Sequence, residues 1–444
     1  MSRFFFPSSA PAPTPDPLTG STRDYLTGVN PDVLAKTNGI SAWLDARVRY
    51  GGFPFSKRLL KAPKAETSVR LLDGSVTSGL NFASQDYLSL ASHPDIRAAA
   101  LQAIDHYGVH SGGAPVLAGA IDLSDKLEAV IASHLHMPHL MICPTGWAAG
   151  YGAVRGLVRD TDHVVIDQLA HNCLQEGAAA ATRNVHFFRH LDVAHARIKL
   201  AAIRARDPHN GILFVTEGLY SMDSDTPNLA GFHAICQEFG ARMVVDVAHD
   251  FGCTGPRGTG QLGLQDMLGK VDVVVGSFSK TFATNGGFIA TRERDLCNYL
   301  RYLSPPVTFS SALAPAQVAV ALAAFNIVRS AEGESRRQDL STAVKVLRDG
   351  FAARKVEVMG VPSPLVPVFI GRDDVGRIAA KLLAGAGLVT NLVEYPAVSR
   401  ATARFRLQVM STHNMTACQT AALRIADAIT QARELCGRRT SVAA

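Results

Sequence analysis

Residues 242–249 read Arg-Met-Val-Val-Asp-Val-Ala-His, and residues 271–280 read Val-Asp-Val-Val-Val-Gly-Ser-Phe-Ser-Lys. Each holds an apolar run of the kind that forms a strand buried on both faces of a parallel sheet. Asp246 and His249 stand at the end of the first strand, and Lys280 in the loop after the second. Loops leaving the carboxyl edge of an open α/β sheet are where such folds bind ligands. Alone, Asp-x-Ala-His is a strand end with two solvent-facing polar groups, and Lys280 a surface lysine. Together they form the skeleton of a pyridoxal-phosphate site. That coenzyme needs a lysine to hold it covalently and a carboxylate to keep its pyridine nitrogen protonated. It also gains from a hydrogen-bond donor near its phenolic oxygen, which a neutral histidine supplies. Lys280, Asp246 and His249 fit those roles in that order.

Composition narrows the class. A chain of 444 residues, 47% hydrophobic and 18% charged, suits a globular enzyme with a large core domain and a smaller one. No run of about 18 apolar residues is present, so no membrane span is expected. Phe4-Phe5-Phe6 is too short for the apolar region of a signal peptide, and Pro-rich sequence follows at once. The seven cysteines are scattered without a Cys-x-x-Cys pair. They read as thiols in a reducing cytoplasm, not as a disulfide or metal framework. The net charge of +6 is spread thinly, which suits anionic substrates and argues against nucleic acid.

Along the chain, the first 20 residues are rich in Pro, Ser and Thr and are expected to be disordered. A helical arm is expected over about 24–65. From about 93 to 330, amphipathic helices alternate with apolar strands near 163–167, 185–188, 211–217, 242–248, 271–276 and 287–290. That alternation predicts a mostly parallel, doubly wound α/β sheet. A long helical region (about 314–356) then leads to shorter strands near 366–370, 388–393 and 404–409. The expected division is a tail and arm (1–65), a large domain (66–325) and a small C-terminal α+β domain (326–444).

Other segments gain meaning from their order. Thr145-Gly146-Trp147 follows an apolar stretch and opens a helix, where backbone N–H groups can hold a phosphate. His171 follows the strand Val164–Asp167, and Glu217 ends the strand at 211–217. The segments NFASQDYLSLASHP (81–94), YGVHSGG (107–113), TGWAAG (145–150), VTEGLYSMDSD (215–225), VVDVAHDFGCTGPRGTG (244–260), GSFSKTFATNGGF (276–288) and ARFRLQVMSTHN (403–414) occur in that sequence. As a set they resemble the α-oxoamine synthases, which are fold-type I pyridoxal-phosphate enzymes.

The resemblance implies that Lys280 carries the coenzyme, Asp246 pairs with its pyridinium nitrogen, His249 contacts its ring hydroxyl and His171 stacks on its face. Glu217 and Ser221 join the coenzyme-contacting set. Ser277 and the amides of Gly146 and Trp147 are implied to bind the phosphate. Ser310 or Ser311 is implied to reach the phosphate of the neighbouring subunit of a homodimer. The family's carboxylate-binding arginine lies a fixed distance before a segment that here is Ser411-Thr412-His413; that selects Arg406, with Arg404 on the same strand face as the alternative. The implied reaction is the decarboxylative condensation of glycine, alanine or serine with an acyl thioester of coenzyme A or acyl carrier protein. It gives an α-amino ketone, carbon dioxide and free thiol, with Lys280 as the base that takes the α-proton.

The substrate side departs from the family. Gln85 replaces an asparagine found near the substrate, Ser89 ends a motif that elsewhere ends in glycine, and Gly150 replaces a common asparagine. Pro115 and Ser124 stand where many members carry arginine and histidine. These departures predict an acyl group other than pimeloyl, acetyl or succinyl. An aminotransferase or C–C lyase of the same fold is the rival reading, opposed by the synthase-like segments at 81–88 and 404–414. A non-catalytic partner subunit would lack the lysine present at position 280.

Overall fold

The apolar runs at 242–246 and 273–277 become neighbouring strands near the middle of a seven-stranded sheet. The computed structural model describes residues 15–442, apart from 27, 28 and 52. In chain order, β1 (Arg58–Leu59), β2 (Glu66–Arg70) and β3 (Val76–Asn81) come first. Then follow β4 (His139–Cys143), β5 (His163–Asp167), β6 (Val185–Phe188), β7 (Ile212–Glu217), β8 (Arg242–Asp246), β9 (Val273–Ser277) and β10 (Gly287–Thr291). The last are β11 (Leu365–Gly371), β12 (Leu388–Val389), β13 (Leu392–Val393) and β14 (Ala403–Gln408).

The large sheet runs β4-β10-β9-β8-β7-β5-β6. Strands β6, β5, β7, β8 and β9 are mutually parallel, and β10 alone runs against its neighbours. Between successive parallel strands the chain returns through the helices Asn172–Ala181, Val193–Arg206 and Leu229–Glu238. This is the mostly parallel, doubly wound α/β arrangement that the alternating pattern predicts. Its consequence for chemistry is direct. Asp167, Glu217, Asp246 and Ser277 are the last residues of β5, β7, β8 and β9, so four polar side chains meet at one carboxyl edge. Glu217 and Asp246 stand opposite one another in the β7–β8 register.

The loop after β9 is held from beneath. Phe278 and Phe282 flank Lys280 and are essentially buried, at 0% and 1% exposure. They pack with Phe251, Phe288 and Phe325 at centroid separations of 5.5–6.0 Å. Burying a phenylalanine is worth about 1.5–3 kcal/mol. Two such anchors therefore fix the backbone from which Lys280 projects.

The remaining strands form a sheet ordered β1-β2-β3-β12 and another ordered β11-β14-β13. The single strand expected over 388–393 is instead two short ones in different sheets. Thr390-Asn391 carries the chain between them, with the Asn391 carbonyl accepting from Arg406 N–H at 2.9 Å and its amide donating to the Ala83 carbonyl. Of the expected helical arm, only Ile40–Tyr50 is α-helix. Residues 15–20, placed in the disordered tail by composition, are docked: Leu18 is buried, and Arg377 donates to the carbonyls of Thr19 and Gly20 at 2.9 and 2.7 Å. Residues 1–14 of that tail lie outside the described residues. The long helical region divides into Pro315–Val328 and Ala331–Ala352, where Ser330 Oγ caps the second helix by accepting from Gly333 N–H. Among the described residues no helix is long and apolar enough to cross a membrane.

Candidate active site

The helix Gly146–Leu157 begins directly over the end of β9. Thr145 is its N-cap, and the Thr145 hydroxyl accepts from Ala148 N–H at 2.9 Å. The N–H groups of Gly146 and Trp147 belong to the first turn, which has no intrahelical acceptors for them. They are available to an anion, as the sequence predicts. Gly146 must be glycine here: a Cβ would stand 2.5 Å from both Cβ and Oγ of Ser277. That close approach brings the Ser277 hydroxyl under the helix start, hydrogen-bonded to Ser279 Oγ at 2.8 Å. Trp147 is half exposed and stacks on Tyr151 at 4.9 Å.

One cavity of about 260 Å³ opens beneath that helix start. Gly146, Trp147, His171, Glu217, Asp246, His249, Ser277 and Lys280 all line it, joined by Thr145, Cys173, Ala248, Ser279, Asn285 and Gly286. Asp246 is buried and takes one hydrogen bond, from Ala248 N–H to Oδ1 at 2.9 Å. Its Oδ2 has no hydrogen-bond partner among the described residues. Burial raises the pKa of Asp246, while the charges of Lys280 and His171 oppose that rise. Burial likewise lowers the pKa of Lys280, and Asp246 and Glu217 pull it back up. Glu217 accepts from His171 N–H at 2.5 Å; burial, reinforced by the Asp246 charge, pushes its carboxyl well above the usual range.

Both site histidines are held neutral. Burial drives His249 well below its ordinary value, helped by the positive charges of Lys280 and Arg406. The His249 Nδ1 lies 2.9 Å from the Tyr87 hydroxyl. Burial also lowers His171, with Asp246 opposing. Tyr87, which contacts His249 from outside the cavity lining, and the lining residues Cys173 and Thr145 are among those to which sequence reasoning gave no role. Tyr87 lies 162 residues from His249, and nothing local joins them.

The two arginines of β14 part company. Arg404 is buried and ion-paired with Asp223, and it also donates to the carbonyls of Thr402 and Met222. Among the described residues the Arg406 side chain makes only a 3.7 Å contact from Nη1 to Met222 Sδ, and its buried Nε has no partner there. Burial lowers Arg406's pKa, and its charge acts on Lys280, His171 and His249. Ser221 is buried but does not line the cavity, and Gln85 is half-buried outside it. Ser310 and Ser311 also lie outside, on a segment whose Phe309 is 85% exposed. His190, Asp223 and Asp225 come close enough together to suggest metal ligands. They are already engaged, however: Asp223 with Arg404, and His190 with Asp167 and Asp225.

These residues fit pyridoxal phosphate on structural grounds alone. A buried amine, a buried carboxylate with an open oxygen, a neutral histidine and the free first-turn N–H groups of a helix share one cavity. The Aminotransferase class I and II family model matches residues 77–425. The 8-amino-7-oxononanoate synthase of Citrifermentans bemidjiense is 30% identical over 82% of this chain and 92% of its own. That of Klebsiella pneumoniae is 31% identical over 81% and 91%. The serine palmitoyltransferase of S. paucimobilis, solved with bound PLP, superimposes with a TM-score of 0.84 at 25% identity, covering 90% of this chain and 99% of that one. The chain therefore belongs to the α-oxoamine synthases, acyltransferases of the aminotransferase class I and II family that use pyridoxal phosphate to condense an amino acid with a thioester.

Proposed function

We propose that this enzyme joins glycine, alanine or serine to an acyl thioester of coenzyme A or acyl carrier protein, releasing carbon dioxide and free thiol and leaving an α-amino ketone. The observation that carries this reading is the meeting of Lys280 and Asp246 in one small cavity, with the Arg406 guanidinium outside its lining but near enough for its charge to act on Lys280. Gly146, Trp147 and Ser277 would hold the phosphate of the coenzyme, Lys280 its aldehyde carbon, Asp246 its ring nitrogen, His249 its hydroxyl and His171 its face. When bound, pyridoxal phosphate supplies an electron sink that acidifies the amino acid's Cα–H bond.

The protein's own residues do the rest. Arg406 takes the amino acid carboxylate in a charge-assisted, two-pronged contact. Lys280 Nζ, its pKa lowered by burial, removes the α-proton and returns one later. Burial raises the pKa of Asp246 and the charge of Lys280 opposes that rise, which suits this carboxylate to keep the ring nitrogen protonated. Tyr87 fixes the orientation of His249 through the 2.9 Å contact at Nδ1, leaving Nε2 for the ring oxygen. Glu217 fixes the backbone of His171.

We further propose that the active form is a homodimer in the cytoplasm. Exposed Val109, Leu117 and Phe309 support this, because their segments are tied together by Ala312 N–H to the Gly113 carbonyl and Ser111 Oγ to the Ala312 carbonyl. A partner subunit would cover them and bring Ser310 or Ser311 to its neighbour's phosphate. Gln85, Pro115 and Ser124 point to an acyl group other than pimeloyl, acetyl or succinyl.

The test is to incubate the loaded enzyme with each small amino acid and a panel of thioesters while following thiol and carbon dioxide. Equal release of both, abolished in Lys280→Ala, is expected. Amino-group transfer to a 2-oxo acid without thiol release would refute the condensation. Faster turnover with pimeloyl-, acetyl- or succinyl-coenzyme A than with longer or carrier-bound acyl groups would refute the acyl assignment.

A further inference from the structure

Cys173 and Gly150 form a pair that the reaction above does not use. Cys173 is 1% exposed, lies in the first turn of the helix Asn172–Ala181, and lines the cavity. Its Sγ is 3.0 Å from His171 Nδ1, and its backbone N–H reaches the same nitrogen at 3.3 Å. Burial, with Asp246 and Glu217 acting in the same direction, pushes the thiol's pKa up, so it stays S–H at neutral pH and acts as a donor. Two donors converging on one nitrogen of a neutral imidazole require that nitrogen to be the unprotonated acceptor. On the other side of the thiol, a Cβ on Gly150 would stand 2.5 Å from Sγ and 3.3 Å from Leu174 Cδ2. Only a residue without a side chain at position 150 lets the sulfur sit against His171.

We propose that Cys173 is a positioning residue that locks His171 in the tautomer protonated at Nε2, with Gly150 providing the space the thiol needs. The ring then offers the cavity a single N–H donor of fixed direction, beside Lys280 and Asp246. The inference rests on the proposed function only in taking His171 to act in that cavity.

The experiment is NMR of the histidine ring nitrogens in the full-length protein, before and after loading with pyridoxal phosphate. The His171 signals are identified by their loss in His171→Gln. Wild type is expected to show an acceptor-type Nδ1 and a protonated Nε2. In Cys173→Ala only the longer backbone contact remains. A net hydrogen bond is worth roughly a five-fold bias, so the Nδ1-protonated or doubly protonated ring should gain about that factor. Cys173→Ser keeps a donor and should restore the wild-type ring. Gly150→Ala keeps the thiol but displaces it, and should resemble Cys173→Ala. Should Gly150→Ala not fold, the Gly150→Ala/Cys173→Ala double variant removes the clash and should show the Cys173→Ala spectrum. A His171 ring identical in wild type and Cys173→Ala overturns the inference. An unshifted ring in a protein that still condenses its substrates overturns this inference alone. The expected ring shift in a protein that releases no thiol overturns only the reaction.

Discussion

Replacing His190 with glutamine should weaken the fold by an amount that depends on pH in a particular way. The imidazole lies between two carboxylates, with Nδ1 2.8 Å from Asp167 Oδ1 and Nε2 3.0 Å from Asp225 Oδ2. Asp167 is fully buried, and its remaining partners are the N–H groups of Leu169 and Leu191. Burial by itself would lower the pKa of His190. The hydrogen bonds and charges of the two aspartates outweigh it and carry the value up to about 10, from an ordinary 6.5. His190 is therefore an imidazolium in the folded protein at neutral pH. Glutamine keeps some hydrogen bonding but removes the charge, leaving Asp167 a buried anion without a cation. Breaking a buried pair in this way costs ~3–5 kcal/mol.

The sign follows from linkage. A histidine whose folded pKa is raised contributes stability fully present below about 6.5 and lost as pH rises through about 10. The gap between wild type and His190→Gln, read as the shift in denaturant midpoint at constant slope, should be widest below about pH 6.5, narrow as pH rises further and close above pH 10. Function should follow, because Tyr220 packs edge-on against His190 at 4.6 Å, in the loop whose Met222 touches Arg406. The amino acid KM should rise more than kcat falls. A gap below about 1 kcal/mol at neutral pH, the value of an exposed pair, would refute the reasoning. So would a gap that stays constant beyond pH 10.

Other substitutions separate roles within the site. Arg406→Ala should raise the amino acid KM roughly ten- to hundred-fold, the effect of losing a contact worth about 1.5–3 kcal/mol, with coenzyme affinity unchanged. Arg404→Ala should instead lower the denaturant midpoint by leaving Asp223 unpaired; exchange of the two phenotypes in kinetics and unfolding would reverse the assignments. Asp246→Asn should retain coenzyme by absorbance yet lose most turnover, whereas Glu217→Gln, replacing a carboxyl already neutral, should keep most of it, and the opposite ranking would overturn both roles. Asp250 is fully buried with Oδ1 unpartnered, and burial raises its pKa to about 7. Its contribution to stability is present below the ordinary 3.8 and lost as pH rises through about 7, so Asp250→Asn should gain on wild type in unfolding titrations between pH 3.8 and about 7 and level off above; parallel pH profiles would exclude it.

Much of the site was legible because its residues sit where the pattern changes. Strands β8 and β9 are valine runs that end abruptly in Asp246 and Ser277, and the abrupt end is itself the signal that a carboxyl edge carries chemistry. Arg404 and Arg406 were indistinguishable by the same logic, since alternation puts both on one strand face. What separates them is Asp223, 181 residues away, which comes within reach of Arg404 only when the loop after β7 folds back. Tyr87 and Cys173 stayed hidden for related reasons. One acts through a long-range contact and the other through a sulfur whose role depends on the glycine above it. Composition misplaced residues 15–20 because proline-rich sequence is poor in apolar area. The docking of this segment needs only one buried leucine and two carbonyls for Arg377.

The register of two strands explains why the site needs its lysine so close. Glu217 and Asp246 are paired across β7 and β8, and both side chains are buried. Two adjacent buried carboxyls cannot both be ionised without a cation nearby. The environment divides them. Glu217, facing the Asp246 charge with one short hydrogen bond from His171 N–H, is held neutral. Asp246 takes an N–H from Ala248, and the charge of Lys280 opposes the rise that burial causes in its pKa. Beside it stand Lys280 and, acting on Lys280 through its charge, Arg406, while burial lowers the pKa of both His171 and His249. The helix start at Gly146 adds a partial positive charge to this set. A phosphate and an amino acid carboxylate are the two anions that suit it. On the proposed function, the helix start and Ser277 take the phosphate, and Arg406 of β14 takes the carboxylate.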